Sequence, residues 1–289
     1  MLVEPPAMDR VLILGLDGWI DAGGAAGQAM AALLDGTETE LVATFDSDAL
    51  IDHRARRPTL RLTDGVIEDL SWPTIELRAG TDRNDRGILL LSGPEPDMRW
   101  KTFSEDVLAL ASDLSATLTV GLGAYPTPVP HTRPVRLSAT ATSKELADAV
   151  GHVDGTIEVP AGIHAALEAA MGAADRPALG IWARVPHYIS NIPYPAATVA
   201  ILEGLQGVTG ISIDLAELQG AAAVTHARIN SLIGNSDEHA SMLQALEQQW
   251  DSEFSGSGEH VHDAGPMPEN LPTADELAAE LERFLRGEG

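Results

Sequence analysis

The chain has 289 residues, no cysteine and a formal net charge of −25 from 43 acidic and 18 basic side chains. This length can bury a large core without crosslinks, and the lack of cysteine excludes thiol catalysis, disulfides and thiolate metal sites. The acidic excess argues against nucleic acid and anionic membranes as partners, and without a signal-peptide pattern or a bilayer-length apolar run we expect a cytoplasmic protein.

The first predicted unit is a buried strand, a glycine-rich turn and a small-residue helix. Residues 11–14 form an apolar run closed by Gly15, typical of a strand buried on both faces, and residues 25–34 are predicted to be helical. Open α/β sheets place ligands at the carboxyl end of such a strand, just before the next helix. The turn is therefore a candidate binding segment, although its glycine spacing is not that of a dinucleotide-binding motif.

An alternating segment follows a second apolar segment at 41–45. Apolar and polar residues alternate over 59–62, 66–67 and 74–77, around the hairpin turn signal Asp64-Gly65. We expect an inserted β-hairpin, or a small meander, over about 57–79. Because an isolated two-stranded ribbon is marginal in water, its apolar side is expected to pack on another subunit or on the edge of the core.

Further alternation of strands and helices completes the predicted core. Buried strands are predicted at 87–94, 116–122 and 179–185, and helices at about 102–114, 162–174 and 196–205. Thr102 with Glu105 and Thr142 with Glu145 have the spacing of capping boxes at helix starts. This order predicts an α/β fold with a mostly parallel central sheet and helices on both faces.

The pattern changes after about residue 212. Residues 213–233 and 237–254 have helical periodicity, the segment at about 254–272 is a flexible linker by composition, and a final helix is predicted over 273–284. We expect an α/β core over 1–212 and a lid-like helical segment over 213–289.

Polar clusters follow several predicted strands, and the carboxyl ends of parallel strands share one edge of a sheet. We therefore predict one ligand cleft at that edge. Its candidate residues are Asp17, Gly18, Trp19, Asp21, Gly23, Glu95, Arg99, Trp100, Tyr125, His131, Arg133, His187 and Tyr188.

Structural roles compete with binding roles at several of these positions. Glu95 and Arg99 either pair with each other or contact a ligand. His131 and Arg133, held in a stiff proline loop, either anchor that loop or recognise an anion. His187 is either a hydrogen-bonded structural histidine or a general base.

Motifs of catalysis and cofactor binding are missing from the sequence. It contains no GxSxG nucleophile elbow and no phosphate-binding loop, so we assign no catalytic residue. The densest set of potential metal ligands, at 259–263, lies in the predicted linker without supporting residues. We predict neither a metal nor another cofactor.

Four segments, taken together and in order, resemble the bacterial branch of the proteasome-assembly-chaperone-like family. They are GLDGWIDAGGAA at 15–26, LLSGPEPDMRW at 90–100, PHTRPV at 130–135 and WARVPHYIS at 182–190. The resemblance implies a three-layer core of the phosphorylase/hydrolase-like type, a hairpin used in oligomerisation and a C-terminal helical segment that covers a cleft. Among homo-oligomers, it favours a trimer.

The resemblance favours a non-catalytic, chaperone-like protein that binds or assembles a protein partner, or binds a small ligand. Some relatives bind proteasomes through a C-terminal hydrophobic-tyrosine-any tail, and the ending at 284–289 lacks it, which argues against that mode of binding.

The alternative is a hydrolase or phosphorylase-like enzyme acting on a small polar or anionic, nucleoside-like substrate. Asp17, Asp21, Glu95 or His187 would then be the acid or base. Arg99 or Arg133 would hold the anion.

Overall fold

A computed structural model describes residues 10–254, apart from Trp19, Asp154 and Asn235. The strands are β1 (Arg10–Asp17), β2 (Glu38–Thr44), β3 (Thr59–Thr63), β4 (Val66–Ser71), β5 (Glu76–Thr81), β6 (Gly87–Pro94), β7 (Ala116–Thr127), β8 (Leu137–Ala141) and β9 (Ala178–Pro186). The helices are α1 (Ala25–Gly36), α2 (Ser47–Leu50), α3 (Trp100–Asp113), α4 (Lys144–Val150), α5 (Ile163–Ala173), α6 (Pro195–Thr209), α7 (Ala216–Ile233) and α8 (Asp237–Phe254), with single 3-10 turns at Ala22–Gly24 and His187–Ile189.

Seven strands form the central sheet, in the order β2-β5-β6-β1-β7-β9-β8. The four inner strands β6, β1, β7 and β9 are parallel, whereas β5 is antiparallel to both of its neighbours and β8 is antiparallel to β9. The sheet is therefore mostly parallel, as predicted. The carboxyl ends of β6, β1, β7 and β9 all lie at one edge of the sheet.

Helices cover both faces of this sheet and complete a three-layer α/β fold. Ile13 of β1 faces a cluster that includes residues of α1, α6, α7 and α8. Leu12 and Leu14 face the opposite cluster, with residues of α3 and α5. This alternation explains the unbroken apolar run of β1, because successive side chains enter opposite cores. Gly15 lets α1 lie close, since a Cβ there would come within 2.6–2.8 Å of Met30.

The inserted hairpin is shorter than predicted. Strands β3 and β4 form a two-stranded sheet of their own, whereas β5, which starts inside the predicted range 57–79, belongs to the central sheet. Ile75 and Leu77 are buried against the β6 side of the core, so this last alternating run is a core strand. Apolar and polar residues alternate with period two both in a separate hairpin and in a strand of the central sheet, so the alternation does not distinguish the two.

Two predicted helix starts were wrong. Helix α3 begins at Trp100, after Arg99 in a left-handed conformation (φ 58°), so Thr102 lies inside the helix. Helix α4 is capped by Ser143, whose Oγ accepts a hydrogen bond from the Leu146 N–H, one residue beyond the predicted cap Thr142.

Strand β8 was not predicted. It follows the proline loop and pairs with β9 along its whole length. It is a short edge strand, so its sequence carries little of the apolar signal of a central strand.

Helices α7 and α8 pack against the core. Ile229 and Ile233 of α7 and Met242 and Leu246 of α8 belong to the same apolar cluster as α6. The predicted linker at about 254–272 and the final helix lie outside the described residues, and a lid-like behaviour of 213–289 stays a prediction. No helix in the described part of the chain is long and apolar enough to cross a membrane.

Candidate functional site

Strands β1 and β7 stop pairing before they reach the carboxyl edge, near the middle of the sheet. Their pairing ends at Leu14 opposite Gly121, although β1 continues to pair with β6 as far as Asp17. Beyond the gap, Asp21 forms an isolated bridge with Ala124 of β7. Such a separation of neighbouring parallel strands is where α/β proteins commonly bind ligands.

His164 of α5 occupies the base of this gap. Its Nε2 accepts a hydrogen bond of 3.1 Å from the Leu16 N–H, which replaces the missing sheet partner. Sequence reasoning missed His164, since a histidine inside a predicted helix gives no sign of facing a strand end.

The first turn contains one aspartate with a structural role and one that remains available. The Asp21 carboxylate accepts hydrogen bonds from the Ala26 and Gly27 N–H groups, at 2.8 and 2.9 Å, and so caps α1. No side-chain hydrogen bond is seen for Asp17 within the described residues. Burial and the nearby Asp21 charge raise the pKa of Asp17, while Arg56 lowers it. Trp19 lies outside the described residues.

Gly23 of the same turn is needed for its backbone. It has φ 69°, its N–H donates to the Ser190 carbonyl at 2.6 Å, and its carbonyl accepts from the Tyr194 N–H at 3.0 Å. A Cβ at Gly23 would lie 2.8 Å from the Tyr194 Cβ. Gly23 therefore joins the first turn to the segment after β9, and its role is structural.

Glu95 connects three elements at the edge. Its buried Oε1 accepts a hydrogen bond of 2.6 Å from the N–H of Ile163, at the start of α5. Its own N–H donates to the Asp17 carbonyl at 2.7 Å, and a Cβ on Gly18 would lie 3.0 Å from Glu95 Oε2. Glu95 thus holds the ends of β6 and β1 against α5.

The predicted Glu95–Arg99 pair does not form. Arg99 is exposed at the start of α3, with a left-handed backbone, and within the described residues no ion pair or hydrogen bond joins it to the buried Glu95 carboxylate. Trp100 donates from Nε1 to the Pro96 carbonyl at 2.5 Å and packs beside the α3–α5 core. Neither residue joins Glu95 in a common site.

His131 and Arg133 anchor the proline loop to the C-terminal helices. The His131 ring contacts the Tyr188 hydroxyl through Nδ1 at 2.7 Å and the Asn230 Oδ1 of α7 through Nε2 at 2.9 Å. Arg133 donates from Nε and Nη2 to Asp251 of α8, at 2.8 and 2.7 Å. Burial lowers the pKa of His131, which favours its neutral form. Of the two predicted alternatives, loop anchoring describes these contacts.

Tyr125 and His187 lie at the carboxyl ends of β7 and β9. The Tyr125 hydroxyl is 2.9 Å from Ser138 Oγ of β8. His187 is buried, and neither of its ring nitrogens has a hydrogen-bond partner in the described part of the chain. Burial lowers the pKa of His187, and the nearby Thr127 backbone partly offsets this lowering. The contact between the ring and the Thr127 backbone does not have the geometry of a standard hydrogen bond.

Nine of the candidate residues form three groups at this edge. Asp17, Gly18, Asp21 and Glu95 surround the ends of β1 and β6. His131, Arg133 and Tyr188 tie the proline loop to α7 and α8, and Tyr125 and His187 end β7 and β9. That the groups line a single cleft stays a prediction.

A shallow, open groove lies elsewhere. It has a volume of about 580 Å³ and lies beside the end of α1 and the strands β2 and β5, with none of the predicted residues in its wall. In the described ranges, no group of three or more histidine or acidic side chains is placed to hold a metal ion.

The sequence also matches a known family. The profile of the PAC2 family matches residues 15–233, which is most of the chain. The protein belongs to the PAC2 family. No curated protein sequence matches it.

Solved PAC2-like structures agree with this assignment. A Corynebacterium glutamicum protein of unknown function is 32% identical, with a TM-score of 0.81, covering 88% of this chain and 95% of its own. A Mycobacterium tuberculosis protein of unknown function is 36% identical, with a TM-score of 0.80 and coverages of 86% and 87%. A proteasome-assembly chaperone homologue from M. tuberculosis is 35% identical, with a TM-score of 0.75 and coverages of 81% and 99%.

Proposed function

We propose that this PAC2 protein is a non-catalytic binding and assembly protein that works in the cytoplasm as a homo-oligomer, with a trimer as the favoured form. The observation that carries the proposal is the exposed apolar face of the hairpin β3–β4. The family membership and the chaperone homologue among the similar structures support an assembly role.

The apolar face of the hairpin is continuous. Leu60 is paired with Leu70, and Leu62 with Ile67, so all four side chains project from the same side of the ribbon. They are 42–66% exposed. A two-stranded ribbon with an uncovered apolar side is marginal in water, and a second copy of the chain would bury that side.

The internal hydrogen bonds made by the polar candidate residues favour a binding role over a catalytic one. Asp21 and Glu95 cap helices, and His131 and Arg133 hold α7 and α8 to the proline loop. Groups that must move protons in a reaction need to reach a substrate. Side chains already engaged in internal hydrogen bonds are poorly placed for that role.

The enzyme alternative has a narrower basis. Asp17 has a raised pKa, and the His187 ring nitrogens are unused within the described residues. A hydrolase or phosphorylase-like reaction on a small polar or anionic molecule would require these two groups to face one substrate. A panel of nucleosides and small anionic esters would test it, with turnover lost in Asp17→Asn as the supporting result.

The oligomer is tested by substitution on one face of the hairpin. Leu62→Glu places a charge on the apolar face, whereas Thr63→Glu, the adjacent residue, places the same charge on the opposite face. Native mass spectrometry should find an oligomer in the wild type and Thr63→Glu, and monomer in Leu62→Glu. A monomeric wild type, or identical assemblies in both variants, would contradict the proposal.

The assembly role is tested with a defined partner. The purified wild-type oligomer is mixed with purified proteasome α and β subunits of the same organism, and complexes are weighed by native mass spectrometry. Formation of a stoichiometric complex, or faster appearance of assembled rings, would support the role. Absence of both effects with these subunits would count against a proteasome partner.

A further inference from the structure

Arg184 of β9 is a buried arginine that has no acidic partner among the residues that the structure describes. It is 6% exposed, and its Nε donates to Ser138 Oγ at 3.0 Å. Across the described ranges of the chain, Nη1 and Nη2 make neither a hydrogen bond nor an ion pair. Because these nitrogens are not among the fully enclosed atoms that lack partners, they keep some contact with solvent.

An unpaired buried guanidinium requires a physical explanation. Arginine stays protonated at any ordinary pH, so it does not escape the desolvation cost by losing its charge. The chain has 43 acidic residues, yet none of the described ones pairs with Arg184. Glu168 is on the same face of the sheet, but it lies over Gly180. Gly180 is four residues before Arg184 on β9, which is about 13 Å along the strand.

The neighbours of Arg184 hold it in a fixed orientation. Tyr125 is opposite Arg184 in the β7–β9 register, and its hydroxyl reaches the same Ser138 Oγ at 2.9 Å. Ser138 therefore contacts both Nε of Arg184 and the Tyr125 hydroxyl. This arrangement leaves the Nη pair, the edge that makes forked contacts with carboxylates and phosphates, available.

Thr127 and His187, at the carboxyl ends of β7 and β9, have buried hydrogen-bonding atoms that make no standard hydrogen bond within the described residues. Thr127 lies two residues beyond Tyr125 on the same face of β7, and its buried Oγ1 has no hydrogen-bond partner in the described ranges. The Cα atoms of Thr127 and Arg184 are roughly 8 Å apart by strand geometry. His187, which is 7% exposed, follows β9, and in the described part of the chain neither ring nitrogen makes a hydrogen bond of standard geometry, although the Thr127 backbone lies near the ring. Buried polar atoms without partners are rare in folded proteins.

We propose that Arg184, Thr127 and His187 form a binding subsite for an oxyanion, the carboxylate or phosphate group of a small ligand. The guanidinium supplies the charge and a forked pair of donors. The threonine hydroxyl and one ring N–H of a neutral histidine supply further donors. The bound anion would compensate the Arg184 charge, which has no acidic partner among the described residues. This proposal is independent of the assembly role and of the hairpin.

Thermal unfolding at constant ionic strength tests the subsite. Chloride is replaced in turn by inorganic phosphate, acetate and succinate. The wild type should melt a few degrees higher in at least one of these anions than in chloride. Response to phosphate alone would identify a phosphate site, and response to acetate or succinate a carboxylate site.

Substitutions locate the effect. Arg184→Met should lose the anion-dependent shift and, in chloride, melt at or above the wild-type temperature, because it removes an unpaired buried charge. Thr127→Val should weaken anion binding several-fold. Arg61→Met removes an exposed hairpin arginine and should keep the full shift. If Arg184→Met does not fold, Arg184→Lys and Thr127→Val provide the comparison.

The proposal is overturned if none of the three anions stabilises the wild type relative to chloride. It is also overturned if the shift persists undiminished in Arg184→Met, or in both Arg184→Lys and Thr127→Val. Either result would leave the mass-spectrometry test of the oligomer unaffected, so the two proposals succeed or fail separately.

Discussion

At the scale of single residues, the most unusual environment belongs to two titratable side chains on α5. His164 and Glu168 are one helical turn apart and both face the sheet. They fit because the facing strands carry Gly121 and Gly180, and a Cβ at Gly180 would overlap the Glu168 carboxyl. Burial lowers the pKa of His164 to about 4 and raises the pKa of Glu168 to about 7. Both residues are therefore held towards their neutral forms.

The two groups affect stability in opposite directions as the pH changes. The folded-state pKa of Glu168 is above its ordinary value of 4.5. Its contribution to the stability of the folded state is therefore complete below pH 4.5 and is lost as the pH rises through about 7. The folded-state pKa of His164 is below its ordinary 6.5. Its contribution is complete above pH 6.5 and is lost as the pH falls through about 4.

Replacing Glu168 by glutamine isolates one of these effects. Glutamine resembles the protonated carboxyl, so Glu168→Gln should be more stable than the wild type at about pH 8, by up to about 3 kcal/mol. The difference should shrink towards zero below pH 4.5. Urea unfolding at a series of pH values measures it. A wild type as stable as the variant at high pH would show that the Glu168 carboxylate is accommodated without cost.

At the scale of secondary-structure elements, α7 and α8 are held to the proline loop by three consecutive residues. His131 bonds to Asn230 of α7, and Thr132 and Arg133 bond to Glu247 of α8, which lies one turn before Asp251. The Asp251 carboxylate raises the pKa of Arg133, and the Arg133 guanidinium lowers the pKa of Asp251. Because these groups are half-exposed, the pairs position α8 more than they stabilise the fold.

Reversing the Arg133 charge should release α8. In Arg133→Glu, repulsion from Glu247 and Asp251 replaces attraction, and α8 keeps its apolar contacts, the Thr132–Glu247 hydrogen bond and the contact of Arg136 with the Trp250 ring. Hydrogen exchange should accelerate over Asp237–Phe254 while the inner strands stay protected.

Arg228→Glu, at an exposed position of α7, is the matched charge control and should exchange like the wild type. Adding Asp251→Arg to Arg133→Glu should recover part of the protection. Equal exchange of α8 in Arg133→Glu and Arg228→Glu would show that the Arg133 ion pairs are not needed to hold the helix.

At the scale of the whole molecule, the dominant quantity is the net charge of −25. A compact body with this charge repels itself, and dissolved salt screens that repulsion. The ion pairs of α8 respond in the opposite direction, because salt weakens attraction between exposed charges.

Global stability should therefore rise with salt. Between about 10 and about 100 mM NaCl, where the Debye length falls from about 30 to about 10 Å, the melting temperature should increase. The measurement is calorimetry of the Leu62→Glu variant, so that changes in oligomeric state do not contribute. A flat or falling melting temperature would mean that local ion pairs outweigh the overall repulsion.

Much of the fold follows from local sequence patterns. The apolar runs of β1, β6 and β9 identify strands because these segments are buried on both faces, and the helices between them have matching periodicity. The edge strand β8 and the start of α3 were missed. An edge strand has a weak apolar signal, and Arg99 begins α3 through its backbone conformation, without a capping side chain.

The chain's own sequence determined the layered α/β fold, the hairpin turn at Asp64-Gly65 and the polar character of the sheet's carboxyl edge, because these depend on residue type and spacing within short segments. Only the tertiary structure decided the use of each polar side chain. Asp21 and Glu95 cap helices, Arg133 binds α8, and Arg184 is left without an acidic partner among the described residues. The reason is that a hydrogen bond depends on which distant groups come within about 3 Å, and residue spacing along the chain carries no such information.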